Sequence, residues 1–171
     1  MDTILAKTSF NLELTQIAWV VKDIKAAEIF FRDAMGIKSF SKPGIIRLAE
    51  FEGTHYGEPS NAESLVSIAY TDGKFIELIQ PVSGRSIFQD FLDENPGGVV
   101  QHIAYSLPAA ELDKVISELI AKDYAVVTTV NHPIAKIVFV DTRNDIGIMT
   151  EIMGITREGE AMVQQMKGQA T

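Results

Sequence analysis

Four residues carry the chemistry this sequence offers most directly: Gln16 in "LTQIAWVV", Glu77 in "FIELIQ", His102 in "QHIAYSL" and Glu151 in "MTEIMG". Each is a polar group set in an apolar run. Two carboxylates brought together out of water are costly unless a positive charge sits between them. A divalent cation supplies that charge, and an imidazole nitrogen and an amide oxygen would complete an oxygen-rich ligand set. Taken singly, each residue has a plainer reading. Gln16 is then a hydrogen-bonded strand residue, His102 a satisfied core histidine, and Glu77 and Glu151 solvated edge residues.

The positions are not independent. Laying "QIAWVV" (16–21) over "HIAYSL" (102–107) pairs Gln16 with His102, Ile17 with Ile103, Ala18 with Ala104 and Trp19 with Tyr105. "FIELIQ" over "MTEIMG" pairs Glu77 with Glu151. Internal self-similarity of this kind marks repeated structural units. In the first strand Gln16, Ala18 and Val20 share one face, and Ile17, Trp19 and Val21 the other. His102, Ala104 and Ser106 likewise oppose Ile103, Tyr105 and Leu107. The bulky faces suit helix packing and the small, polar ones suit the lining of a cup. Trp19 and Tyr105 accordingly face the helices, whereas Tyr56 and Phe75 are further aromatic candidates for shaping a ligand site.

The intervening sequence supplies matching elements. After each first strand comes an amphipathic helical pattern: "DIKAAEIFFRDAMG" with Asp23 as N-cap, Ala27, Phe30, Phe31 and Ala34 on one face and Gly36 as stop, and "PAAELDKVISELIAKDY" with Leu112, Val115, Ile116, Leu119 and Ile120 at helical spacing. Three strands follow in each half: "IIRLAEF" and the two arms of "SLVSIAYTDGKFIELIQP", turning at Asp72-Gly73, then "YAVVTTV", "AKIVFVD" and "GIMTEIMG". The expected organisation is an extension over 1–12, a first module over 13–82, a connecting helix and turn over 83–98, a second module over 99–154, and a polar tail over 155–171. That tail reads as a frayed helix or a dimer-packing segment. His55 in "EGTHYGEPSNAE" and His132 in "NHP" read as exposed turn residues.

Composition removes several function classes. The 171 residues are 46% hydrophobic and 22% charged, an ordinary globular balance, with a formal net charge of −8. No Lys/Arg cluster offers a footprint for nucleic acid or an anionic membrane surface. The absence of cysteine excludes disulfides, thiolate catalysis and sulfur-ligated metals. "MDTILAKTSFNLEL" lacks the pattern of a secretory signal and no apolar run is long enough to span a bilayer, so the expected location is cytoplasmic.

The segments "QIAWVVKDIKAAEIFFRDAMGI", "VQHIAYS" and "GIMTEIM" resemble the vicinal oxygen chelate superfamily, which includes glyoxalase I, methylmalonyl-CoA epimerase, extradiol dioxygenases and bleomycin-resistance proteins. The resemblance spans residues 14–154. It implies an α+β fold in which tandem βαβββ modules form a cupped, mostly antiparallel sheet with helices outside. It also implies metal-ligand roles for Gln16, Glu77, His102 and Glu151 around one divalent ion: zinc, nickel, cobalt, manganese or iron. The Gln/Glu/His/Glu set is similar to glyoxalase I, whereas "IELIQPVSGRSIFQDFLDENPGGVVQHIAYS" is similar in layout to methylmalonyl-CoA epimerase. Val20 and Pro81 stand where glyoxalase I has the arginine and asparagine that hold glutathione. Arg47 stands where the epimerases place a catalytic glutamate, with Glu50 reaching that place only after a register shift. Ring-cleaving dioxygenases need a second histidine at the metal.

The resemblance implies a metal-dependent isomerase or epimerase that removes a proton next to the carbonyl of a small acyl-thioester or keto substrate. Glu151 is then the first choice of base and Glu77 its opposite-face partner. The alternatives are a lactoylglutathione lyase-like glyoxalase and a metal-free small-molecule binding or resistance protein. Arg47, if it projects into the cup, would pair with a substrate carboxylate; otherwise it is an exposed strand arginine. By resemblance the expected assembly is a homodimer.

Overall fold

The computed structural model describes residues 10–169. The chain runs β1 (Glu13–Val20), α1 (Ile24–Asp33), β2 (Gly44–Arg47), β3 (Thr54–His55), β4 (Glu58–Pro59), β5 (Glu63–Thr71) and β6 (Lys74–Ser83). It continues through α2 (Ile87–Glu94), β7 (Val99–Pro108), α3 (Leu112–Ile120), β8 (Val126–His132), β9 (Ala135–Val140), α4 (Arg143–Ile146), β10 (Met149–Ile155) and α5 (Arg157–Gln169). Eight strands form one sheet in the order β2-β5-β6-β1-β7-β10-β9-β8. This is the curled α+β sheet of two βαβββ units expected from the sequence, with β1 and β7 paired antiparallel at its centre. In the first unit a two-residue hairpin, β3–β4, is added.

Local chemistry sets the boundaries. Asp23 Oδ1 accepts from the Lys25 and Ala26 amides at 3.0 and 3.1 Å and so starts α1. Ser86 does the same for α2 through the Gln89 amide at 3.2 Å. Asp72 and Gly73 both adopt positive φ (48° and 80°), as a tight hairpin turn requires. "IIRLAEF" departs from expectation: only Gly44–Arg47 is strand, and Leu48–Phe51 closes into a 3₁₀ turn that buries Leu48.

The two helices pack differently. On α3, Leu112 and Val115 are buried with Leu107, Val138, Val140 and Ile152. On α1 only Ile24 is buried, and Phe30 faces solvent rather than the sheet. The helix is instead oriented by Glu28, whose carboxylate accepts a 2.5 Å hydrogen bond from Ser67 of β5, with Phe31 set edge-on against Trp19 at 5.2 Å. Trp19 thus faces the helix layer, as its strand parity requires. Phe10 and Leu12 of the N-terminal extension pack against the α3 core; the rest of that extension, 1–9, and the last residues of the tail, 170–171, lie outside the described residues.

Candidate functional site

The central strands bring the four singled-out residues together by register. Ala18 of β1 pairs with Glu77 of β6 on one side and His102 of β7 on the other. Its repeat counterpart Ala104 pairs with Glu151 of β10 and Gln16 of β1. Both alanines are fully buried, so the four polar residues surround a floor of two methyl groups that leaves room above it.

Gln16 Nε2 donates to Glu77 Oε2 at 2.9 Å and to Glu151 Oε2 at 3.4 Å. His102 Nε2 lies 3.1 Å from Glu151 Oε2 and 3.5 Å from Glu77 Oε2. His102 is 0% exposed and is flanked by Phe139 and Phe88 at 5.0 and 6.2 Å between ring centres. Gln16 and Glu151 are buried, and the Glu77 side chain is 15% exposed. Burial alone would lower the His102 pKa, but hydrogen bonds to Glu151 and Glu77 overcome it and hold the imidazole at about 9. Burial raises the Glu77 pKa, with His102 opposing it. An imidazolium therefore balances the carboxylates in this state.

A repeated distortion sets the strand ends at the site. Between Leu14 and Gln16 the β1–β7 register slips by one residue, at Thr15; between Ala18 and Trp19 it slips again, opposite Gln101. Thr15 and Gln101 occupy equivalent places, each just before a site residue. The second bulge turns Gln101 inward, where its Oε1 accepts from His102 Nδ1 at 2.5 Å while its Nε2 has no partner. Holding the proton on Nδ1 aims Nε2 at the cluster.

These donors suit a divalent cation in kind: two carboxylates, an imidazole nitrogen aimed by its neighbour, and an amide whose half-turn exchanges nitrogen for oxygen. Hydrogen bonds through Gln16 draw the cluster together in this state. Among the described residues no group of three or more His, Cys, Asp or Glu side chains is arranged so that it could hold a metal ion as it stands.

Gln16, Glu77 and Glu151 open into a cavity of about 250 Å³ on the concave side of the sheet. Its walls are mostly aliphatic and aromatic, including Phe75, Ile79, Ile137 and Phe139, and its mouth is crossed by Met162, Val163 and Met166 of α5. The tail expected to be frayed or to pack a dimer thus contributes a wall.

Arg47 is not brought into the cup. Ile46 lines the cavity, so alternation turns Arg47 outward, where it binds Glu63 at 2.8 Å and Glu50 at 3.4 Å. His55 and His132 are not exposed turn residues. His55 is half-buried in β3 and sits 2.9 Å from Asp90. His132 ends β8, lines the cavity beside Phe51 and has its pKa lowered by burial. Phe75 lines the cavity as expected, whereas Tyr56 is exposed. Gln101, Phe88, Phe139 and Thr128 also border the site, and no pattern in the sequence marks them. Gln101 is adjacent to His102, but only the bulge turns it inward.

A family model described as the Glyoxalase/Bleomycin resistance protein/Dioxygenase superfamily matches residues 15–139. The chain belongs to this superfamily. An ethylmalonyl-CoA/methylmalonyl-CoA epimerase of Cereibacter sphaeroides is 28% identical over 94 residues, which are 55% of this chain and 60% of that protein. The chain thus spans less than two thirds of that relative's length. The methylmalonyl-CoA epimerase of Mycobacterium tuberculosis superposes with a TM-score of 0.63 at 17% identity, over 86% of this chain and 91% of that one. A Bacillus halodurans protein of undefined function gives 0.61 at 19% identity, over 84% and 94%. At these identities the two superpositions show a shared fold.

Proposed function

We propose that this chain is a metal-dependent isomerase or epimerase that moves a proton next to the carbonyl of an acyl-thioester or keto substrate. The observation that carries the reading is the cluster of two buried carboxylates, one imidazole and one amide, built from equivalent strand positions at the floor of a closed cup. The epimerase relative is consistent with it.

Gln16, Glu77, His102 and Glu151 would hold one divalent cation, drawn from zinc, nickel, cobalt, manganese or iron. When bound, such an ion supplies Lewis acidity that stabilises the negative charge developing on a carbonyl oxygen as the adjacent carbon loses its proton. Binding it would displace the proton that His102 Nε2 shares with the carboxylates, while Gln101 keeps the proton on Nδ1. Glu151 takes the substrate proton and Glu77, on the neighbouring module, returns one to the other face. The apolar walls exclude water during the transfer.

The test is proton exchange at the α-carbon in deuterated water, followed by proton NMR on a panel of acyl thioesters and α-keto thiol adducts. Exchange that depends on added divalent ion and disappears in Glu151→Ala supports the reading. Binding of a panel member without exchange, with or without metal, would instead make the chain a metal-free binding protein. Exchange confined to glutathione adducts would make it glyoxalase-like.

A further inference from the structure

The cavity differs in character from the cluster at its floor. Among the described residues no Lys or Arg lines it. The histidine at its rim, His132, has its pKa lowered by burial and is neutral near pH 7. The floor already carries two carboxylates. A substrate carboxylate or phosphate inside the cup would therefore meet no protein cation apart from what the cluster itself holds, and would lose hydration without replacement.

One wall is contributed by α5, which is fastened at its start and spans the opening beyond it. Thr156 N donates to Ile134 O at 3.1 Å, and Thr156 Oγ1 donates to Pro133 O at 2.9 Å and accepts from Gly159 N at 3.2 Å. A Cβ at Gly159 would collide with the Ile134 carbonyl oxygen, so only glycine lets the helix approach the β8–β9 turn this closely. From that anchor Met162, Val163 and Met166 face the cavity, while Met162 remains 46% exposed at its mouth. Unbranched methionines adapt to apolar guests of differing shape.

We propose that the substrate is an uncharged carbonyl compound whose apolar body packs between the sheet and the Met162–Val163–Met166 face of α5. This rests on the reading of the floor cluster as the reactive centre and adds the substrate class. At about 250 Å³ the space lies just below the roughly 300–1,000 Å³ usual for small-molecule sites, so the body is short.

The experiment measures dissociation constants of the full chain, by calorimetry, for 3-oxoacyl N-acetylcysteamine thioesters of increasing acyl length and for a member bearing a terminal carboxylate. Binding should tighten roughly tenfold for each two methylenes added until the cavity is full. The carboxylate-bearing member should bind at least about tenfold more weakly than its uncharged counterpart. Met162→Glu, at a position open enough to tolerate the change, should flatten the length dependence. Affinity independent of chain length, or tighter binding of the carboxylate, would overturn the proposal. Proton exchange on the same thioesters keeps the two conclusions apart. A length gradient without exchange upholds the substrate class and removes the enzyme, and exchange without a gradient does the reverse.

Discussion

The two halves of the molecule repeat the site and diverge in what supports it. The first contributes Gln16 and Glu77, the second His102 and Glu151, at matching register around Ala18 and Ala104. Yet the first-half pair is a neutral amide and the more open carboxylate, whereas the second-half pair is buried, with its imidazole flanked by aromatic rings. Helix packing follows the same division. The second-half helix is sealed into an aliphatic core, and the first-half helix rests on the sheet with Ile29 and Phe30 exposed. What the repeat preserves is the register of the four polar positions. The second half supplies the more deeply buried pair, and the first half the more exposed carboxylate.

That contrast breaks most sharply at the carboxylates. Glu151→Ala should abolish retained metal and lower α-proton exchange by roughly 10²- to 10⁴-fold. Glu77→Ala should lower exchange comparably but keep weaker metal binding, because its position is the more hydrated one. Equal metal loss in both variants, read by elemental analysis, would erase the asymmetry.

The helices give the next largest difference. Leu112→Ala on α3 should cost about 2–5 kcal/mol in denaturant unfolding by opening a cavity in a packed core. Phe30→Ala on α1 should change stability by about 0.5 kcal/mol or less, because its ring is already in water. Similar costs would mean that α1 is covered in solution, as a dimer through that face would require.

The paired bulges offer a subtler comparison. Gln101→Leu should weaken metal affinity by about 10- to 100-fold, since it removes the acceptor that orients His102. Thr15→Val, at the equivalent place, should leave it within about threefold, because Thr15 spends its hydroxyl on the Ala104 carbonyl at 3.3 Å. Isothermal titration with the same cation reads both.

The smallest effect is in pH dependence. His102 titrates at about 9 in the folded, metal-free chain, against 6.5 for a free imidazole, and the Glu77 pKa is also raised. The folded state therefore binds these protons more tightly than the unfolded one. The stability contributed by His102 is fully present below about 6.5 and is lost as pH rises through about 9, so Tm of metal-stripped protein should fall across that window. His102→Gln should flatten the profile, and a Tm rising with pH there would contradict the imidazolium assignment.

Much of this was legible in the sequence because the repeat is written in residue types. Gln16 over His102, Ala18 over Ala104 and Glu77 over Glu151 fixed both the sheet centre and the floor of the cup, and Asp23 and Asp72-Gly73 marked a helix start and a turn. Other features left weaker traces. In "GIIRLAEF" two consecutive isoleucines obscure the alternation that would have turned Arg47 outward. Residues 157–169 carry only Met162, Val163 and Met166 as an apolar stripe, too thin to announce a helix laid across the cup. The bulges at Thr15 and Gln101 depend on strand pairing, which no single strand's pattern encodes.

The central claim is that the floor cluster holds one divalent cation, and equilibrium titration of chelator-stripped protein with zinc, nickel, cobalt and manganese tests it most directly. The account predicts one ion per chain for at least one of these metals, with affinity at least about tenfold weaker in Gln16→Leu, whose fold is unchanged by circular dichroism. No binding of any of them, or unaltered affinity in Gln16→Leu, would contradict the four-residue site.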